Sequence, residues 1–312
     1  MELCLVGEGA IARKHMAALK RIEGIRVPYL VGGVEASTQK FAEEFEIPEC
    51  GTDLAQGLSF PGVDSVLIAS STPLHARQAE AALEAGKHVL LEIPMAESLA
   101  DSERLCGARR QAGRVGMVCH TRRFNPSHQW VHEKIVRGEL KLQHLVAETF
   151  FFRRTNTNAL GEPRSWTDHL LWHHACHTVD LFQYQTGAVA ERVSAQQGPA
   201  HPELGIAMDM TVGLRSAGGA LCSLALSFNN DGPLGTTFRY ICDNGTYIAR
   251  YDELVDGEGK LVDLSGVSPI SDGFELQARE FLAAVTEGRE PNASFDQCLP
   301  AMQTLDRLER CF

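Results

Sequence analysis

The sequence predicts an α/β protein in which an N-terminal doubly wound parallel sheet is followed by a C-terminal α+β domain with an open, mainly antiparallel sheet. Three observations support this. The first 120 residues alternate unbroken apolar runs with amphipathic helical stretches, the pattern of strands covered by helices on both faces. After Cys119 the strand-like runs alternate apolar with polar residues and are separated by turn residues, as in a sheet with one wet face. A chain of 312 residues also exceeds what one hydrophobic core usually supports, so two domains are expected, over residues 1–120 and 121–312.

The elements follow in order. ELCLV is the first strand, with a helix behind it to about Ile22; RVPYLV is the second, with a helix near Thr38 to Phe45. DSVLIAS, a helix from Leu74, KHVLLE, another helix and RVGMVC complete the βαβ series. The second half opens with a helix over Pro126 to Arg137 and a strand around Val146 to Arg153, then a histidine-rich helix. GIAMDMTVGLR, GALCSLALSF, TFRYICD and GTYIARY read as strands, the last two joined by a turn at Asp243-Asn244-Gly245. Two helices, near Glu275 to Glu287 and Phe295 to Arg310, close the chain.

Composition narrows the partners. Hydrophobic residues at 44% and charged residues at 22% describe an ordinary globular protein. The net charge of -11 disfavours nucleic acid and anionic membrane surfaces, so a small anion needs a local basic pocket. No apolar stretch approaches the roughly 18 residues of a membrane span, and MELCLVGEGA enters a strand without a cationic leader. Nine cysteines, odd in number and mostly within apolar runs, fit reduced thiols and a cytoplasmic setting.

The first strand runs into Gly7-Glu8-Gly9-Ala10-Ile11-Ala12, a GxGxxA pattern that opens a helix. Glycines at the first two places let a pyrophosphate approach backbone N–H groups at a helix N-terminus, which identifies a Rossmann dinucleotide site containing Gly7, Gly9, Ala10 and Ile11. Ser70, Ser71, Thr72, Pro73 and Glu92 follow the ends of the fourth and fifth strands, where ligands collect in open α/β sheets. His75 reads as a packing or capping residue. The second strand ends Val31-Gly32-Gly33-Val34-Glu35 without the acid that usually meets the ribose of NAD, although Glu35 would substitute if its loop bent back. No arginine stands there for a 2′-phosphate; the expected cofactor is NADP, with NAD tolerated.

WHHACHTVD, residues 172–180, carries the candidate chemistry. His173 and His177 are four apart and Asp180 three further on, so one α-helix would line all three along a stripe, with His174 pointing elsewhere. Imidazoles that titrate near neutrality suit proton transfer. No HExxH or CxxC spacing is present, so no metal is expected. Asp180 would orient an imidazole. Asp168 reads as a helix cap or a pocket residue, and Asn229, Asn230 and Asp231 as a polar turn at the pocket or at a subunit contact. Arg122, Arg123, Arg153, Arg154 and Arg164 cluster near the domain junction and would grip carboxylates, with His120, Thr121, Asn125, Trp166 and His169 around them.

GEGAIARKHMAAL, STPLHARQAEAALEAGKHVLLEIP and the helix ending HTVD resemble the Gfo/Idh/MocA oxidoreductase family, over the whole chain. The resemblance implies a nicotinamide-dependent dehydrogenase whose second domain builds homodimers or homotetramers through its sheet. It also implies a Glu-Lys-Pro motif with a catalytic lysine, and a later helix with an aspartate and, four residues on, a catalytic histidine. Here Glu92-Ile93-Pro94 puts isoleucine in the lysine's place, His173 stands at the aspartate's and His177 at the histidine's. Proton transfer is therefore expected to have moved to the histidines, with His177 favoured. HTRRFNPSH, GEPRSWTDHLLWHHACHTVDLF, HPELGIAMDM and LSFNNDGPLGTTFRYICDNG resemble family members that oxidise the cyclic hemiacetal of a small dicarboxylate to a lactone. A sugar or cyclitol dehydrogenase and a non-catalytic dinucleotide sensor are the competing readings.

Overall fold

A computed structural model of the chain describes residues 1–157, 161, 163–164 and 166–312. The unbroken apolar runs become short parallel strands joined by helices: β1 (Glu2–Val6), α1 (Ala10–Leu19), β2 (Arg26–Val31), α2 (Glu35–Phe45), β3 (Glu49–Gly51), α3 (Leu54–Ser59), β4 (Ser65–Ile68), α4 (His75–Glu84), β5 (His88–Leu91), α5 (Leu99–Ala112) and β6 (Gly116–Val118). They form one sheet in the order β3-β2-β1-β4-β5-β6. All its pairings are parallel, with Val6 opposite Val31 on one side and Ile68 on the other. The strand order reverses between β1 and β4, and ligands of such sheets bind in the crevice beyond those strand ends. Leu3, Leu5, Leu30, Leu67, Val89 and Leu90 are wholly buried at the centre. Each stabilises the fold by about 1.5–3 kcal/mol relative to exposure.

The remaining elements are α6 (Pro126–Val136), β7 (Leu142–Phe150), α7 (Cys176–Thr186), β8 (Ala190–Gln197), β9 (Asp209–Ser216), β10 (Leu221–Ser227), β11 (Gly235–Cys242), β12 (Gly245–Arg250), β13 (Glu253–Asp256), α8 (Gly273–Glu287) and α9 (Phe295–Glu309). The second sheet runs β13-β12-β11-β7-β10-β9-β8. Its pairings are antiparallel except β7 with β10. Burial alternates along β9 and β10, so Val212, Leu214, Leu224 and Leu226 face the core while Thr211 and Ser223 face water. β7 starts at Leu142, earlier than expected. The edge strands β8 and β13 escape the sequence reading because polar AERVSAQQ and four-residue ELVD carry little apolar signal.

The chain folds into two compact units. The first joins Met1–His120 to Thr157–Trp166 and Phe274–Leu299; the second joins Thr121–Asn156, Thr167–Gly273 and Pro300–Phe312. The expected contiguous second domain over 121–312 is therefore modified: most of α8 and the start of α9 group with the first unit. Pairing explains this. Asp296 accepts from Arg109 and Arg110, Val118 N–H donates to Ala293 O at 2.9 Å, and Arg21 pairs with Glu275. No described helix is long and apolar enough to cross a membrane.

The histidine segment also differs from expectation. Leu170–Ala175 forms a wide π-type turn, and the α-helical path begins only at Cys176. A π turn carries about one residue more than an α turn, so i to i+4 spacing across it no longer stacks side chains. His173 and His177 thus do not share the straight stripe predicted with Asp180. The turn buries Leu170, Leu171 and Trp172 in succession, and Trp172 Nε1 donates to Glu309 Oε1 at 2.8 Å.

Candidate active site

In the first unit, Gly7 closes β1 with φ of 112°, and a Cβ there would come within 2.5 Å of Ala69 O. Only glycine fits so close to the β4 end. A Cβ on Gly9 would meet nothing within 4 Å. Gly9 caps α1 and offers the first N–H groups of that helix, from Ala10 and Ile11 on, no side-chain cap. Such a turn fits a dinucleotide pyrophosphate. Past β4, Ser70 Oγ donates to Gln78 Oε1 at 2.5 Å, while Ser71 precedes a short 3-10 turn over Thr72, Pro73 and Leu74. His75 is buried, with Nδ1 2.8 Å from Pro94 O and Nε2 3.1 Å from Ser70 O. Burial pushes its pKa down despite those two contacts and Glu92, which push it up. His75 therefore packs inside the unit.

Glu92 was expected to face the cofactor, and its partners lie within the fold: Oε1 is 2.6 Å from His15 Nε2 and Oε2 accepts from Ile93 N–H at 3.0 Å. His15, on the buried face of α1, went unnoticed in the sequence because nothing local marks its partner 77 residues away. Beyond β2, Glu35 lies in the first turn of α2 and is exposed. The carboxylate that reaches this strand end belongs to Glu8. Its Oε1 accepts from Gly33 N–H at 2.9 Å, Val34 N–H at 3.3 Å and Ser37 Oγ at 3.0 Å. His120, buried at the end of this unit, and the pair Arg164 over Trp166, with guanidinium carbon and ring centroid 4.7 Å apart, complete the predicted residues found here.

In the second unit the structure reassigns most of the arginines. Asp180 accepts from Arg123 Nε at 2.8 Å and Nη2 at 2.6 Å, with side-chain exposures of 1% and 5%. Arg123 and Asp180, read from sequence as a substrate grip and an imidazole orienter, are thus a buried ion pair with each other. Their 57-residue separation hid this. Arg153 is likewise bound to both oxygens of Asp168 and lies over the Phe228 ring. Arg154 is exposed and donates to Arg153 O, Phe228 O and Asn229 Oδ1.

Arg122 is different. Among the described residues no carboxylate pairs with it, its Nε is buried without a hydrogen bond, and its nearest polar partner is Asn125 Oδ1 at 3.4 Å. Its guanidinium lies 5.3 and 5.6 Å from the Tyr251 and Phe238 rings. Burial lowers its pKa, partly offset by Tyr251 and Asp252. Asn125 donates to Asp252 at 2.6 Å.

The histidines gather around Asp168. His174, set aside on spacing, has Nε2 3.0 Å from Asp168 Oδ2, and the His173 and His174 rings are 5.0 Å apart. Burial alone would raise the Asp168 pKa. The His174 hydrogen bond and the charges of His173, His174 and Arg153 outweigh it and hold the carboxyl far below its ordinary range. Asp168 is thus an anion paired with Arg153 and bonded to His174, and the residue at the N-cap is His169. The ligand atoms of Asp168, His173 and His174 lie within 4.8 Å of one another, as do those of His15, Glu92 and Cys119. Arg153 already neutralises the first carboxylate, and burial, then Glu92, raises the Cys119 thiol pKa well above normal. His177, second residue of α7, is half-buried. His169 borders a cavity of about 210 Å³ with Leu170, Leu171, Met210, Glu309 and Phe312. Asn229 and Asn230 hold their own turn, bonding Asp209 at 2.6 Å and Pro233 O at 2.9 Å.

Residues 1–120 match the oxidoreductase family with the NAD-binding Rossmann fold, and residues 126–268 match the bacterial oxidoreductase C-terminal family. A 4-carboxy-2-hydroxymuconate-6-semialdehyde dehydrogenase of Sphingobium sp. strain SYK-6 is 53% identical over 309 residues, covering 99% of this chain and 98% of that protein. The chain belongs to the Gfo/Idh/MocA oxidoreductase family. Inositol 2-dehydrogenase of Streptomyces avermitilis, a more distant relative, is 24% identical over 91% of this chain and 85% of its own length. Among solved structures, levoglucosan dehydrogenase in complex with NADH and levoglucosan superposes with a TM-score of 0.88 at 21% identity, covering 100% of this chain and 96% of that one. This Gfo/Idh/MocA protein is an NAD(P)-dependent dehydrogenase.

Proposed function

We propose that this dehydrogenase oxidises the cyclic hemiacetal of 4-carboxy-2-hydroxymuconate-6-semialdehyde to 2-pyrone-4,6-dicarboxylate, in the 4,5-cleavage route of protocatechuate breakdown. The observation that carries this reading is the 53% identity to a dehydrogenase of that semialdehyde over nearly the full length of both chains. Two local features support it. Isoleucine at position 93 removes the lysine that a sugar or cyclitol dehydrogenase would use, and Arg122 offers a guanidinium for one of the two substrate carboxylates.

Oxidation removes a hydroxyl proton and a hydride from the same carbon. Gly7, Gly9 and the α1 N-terminus would hold the pyrophosphate of a nicotinamide dinucleotide, which would supply the hydride acceptor. The chain's own task is to take the proton. A neutral imidazole suffices, because the departing hydroxyl proton is acidified as the carbonyl forms. His177 is the assigned base, with His173 the alternative, held near the Asp168 anion through the contact of its ring with His174. The expectation of NADP with NAD tolerated belongs to this reading, as do a homodimer or homotetramer through the second sheet and a cytoplasmic setting.

The test follows absorbance near 340 nm after the protein and either dinucleotide meet freshly ring-cleaved protocatechuate, with myo-inositol as a control. A rise with the ring-cleavage product alone is expected. A rise with inositol alone, or cofactor binding with no turnover of either compound, would overturn the reading in favour of a cyclitol dehydrogenase or a sensor.

A further inference from the structure

We infer that Tyr251 is a positioning residue for substrate binding: its ring, set by a left-handed bend of the chain, holds the Arg122 guanidinium ready to grip one carboxylate. The inference rests on the proposed role of Arg122 in binding a dicarboxylate and concerns what keeps that guanidinium in place.

Tyr251 and Asp252 make the short turn between β12 and β13, with Arg250 paired to Glu253 across its base. Tyr251 has φ of 53°. Glycine or asparagine usually takes such a turn position, because a bulky side chain is strained in the left-handed region. Strain of this kind persists only where surrounding contacts hold it. Here the start of α6 holds it. Ser127 Oγ donates to Tyr251 O at 2.5 Å and Asn125 Nδ2 donates to Asp252 Oδ1 at 2.6 Å, both from buried side chains. Asn125 stands at the N-cap of α6 yet makes no capping hydrogen bond. Its amide serves the turn instead, and its Oδ1 accepts from Arg122 Nη1 at 3.4 Å.

Burial does not explain a tyrosine at this turn, since Tyr251 stays 45% exposed. What the ring gains is contact with Arg122, whose guanidinium carbon lies 5.3 Å from its centroid and 5.6 Å from that of Phe238 on β11. Gly235, at the start of β11, makes room for the phenol: a Cβ there would come within 2.7 Å of Tyr251 Oη. Aromatic faces attract a guanidinium without occupying its N–H groups as a carboxylate would. Arg122 is therefore steadied by two rings while its Nε stays buried without a hydrogen bond. It keeps a planar fork of donors, which a carboxylate can accept bidentately.

The test measures binding of 2-pyrone-4,6-dicarboxylate and of its dimethyl ester by calorimetry on the whole protein with saturating NADP. The wild type should bind the diacid at least about tenfold more tightly, since a hydrogen bond to a charged group corresponds to roughly 10- to 100-fold in Kd. Tyr251→Gly removes the ring and suits the left-handed backbone, so its thermal midpoint should hold or rise. Its diacid binding should weaken by about tenfold or more, with diester binding within about threefold of the wild type. Tyr251→Asn, at ease in the same backbone region, should behave alike. Tyr251→Phe keeps the ring and should recover the diacid affinity lost in Tyr251→Gly. A tyrosine that only shapes the turn predicts the same midpoints with no loss of diacid affinity, so unchanged affinity in folded Tyr251→Gly and Tyr251→Asn would overturn the proposal. Equal weakening of diacid and diester would do the same. Arg122→Met separates the two levels. A loss of diacid binding there beside unchanged Tyr251→Gly would sink the Tyr251 proposal alone. Wild-type diacid affinity in Arg122→Met, or no wild-type preference for the diacid, would overturn the carboxylate grip itself and the proposal with it.

Discussion

Replacing Asp180 by asparagine keeps the volume of the side chain and removes its charge, which isolates the ion pair with Arg123. The pair is 1% and 5% exposed and joined by two hydrogen bonds of 2.8 and 2.6 Å. The Arg123 guanidinium also lies 4.8 Å from the Tyr184 ring centroid. In Asp180→Asn it becomes a buried charge facing a neutral amide. Losing one partner of a buried pair costs about 3–5 kcal/mol. At roughly 2–4 °C per kcal/mol for a unit of 150–250 residues, the midpoint should fall by about 6–20 °C. Replacing both partners, Arg123→Met with Asp180→Leu, removes the stranded charge and should recover most of that loss, because apolar isosteres of a buried pair are often neutral. Calorimetry and urea unfolding of the four proteins close the double-mutant cycle. A loss below about 1 kcal/mol in Asp180→Asn, or a double variant less stable than the single, would refute the claim that this pair serves the fold. A normally stable Asp180→Asn that no longer turns over substrate would return Asp180 to the catalytic set.

His177→Ala should lower turnover by about 10²- to 10⁴-fold while changing cofactor Kd less than about twofold; if instead His173→Ala shows the large loss, the base is His173. Arg122→Met should raise KM for the dicarboxylate by roughly 10- to 100-fold with a smaller effect on kcat, and an unchanged KM would remove Arg122 from the substrate site. Burial holds the pKa values of His75 and His128 below normal, so both resist protonation more in the fold than in the unfolded chain. A depressed histidine contributes its stability in full above the unfolded value near 6.5 and loses it as pH falls towards the folded value, at up to about 1.4 kcal/mol per pH unit. Urea unfolding from pH 8 to 5 should therefore show stability declining below about pH 6.5, and a flat profile would contradict the depressed imidazole pKa values.

Local patterns carried much of this protein. Unbroken apolar runs such as ELCLV and KHVLLE can be satisfied only by strands covered on both faces, and Gly7 and Gly9 mark a turn whose first glycine leaves no room for a Cβ; both signals lie within a few residues. The alternation in GIAMDMTVGLR and GALCSLALSF likewise announced a sheet with one wet face. Periodicity also put His173, His177 and Asp180 on one stripe, and there it failed: burying Leu170, Leu171 and Trp172 in succession goes with a π turn that spacing rules do not anticipate. The tertiary structure alone decided which charges meet. Arg123 and Asp180 are 57 residues apart, and the carboxylate at the end of β2 comes from Glu8, 25 residues before Gly33. A charge buried on folding must find its counter-charge wherever the chain brings one, so pairing depends on contacts between distant segments, whereas strands, turns and helix starts depend on residues a few positions away.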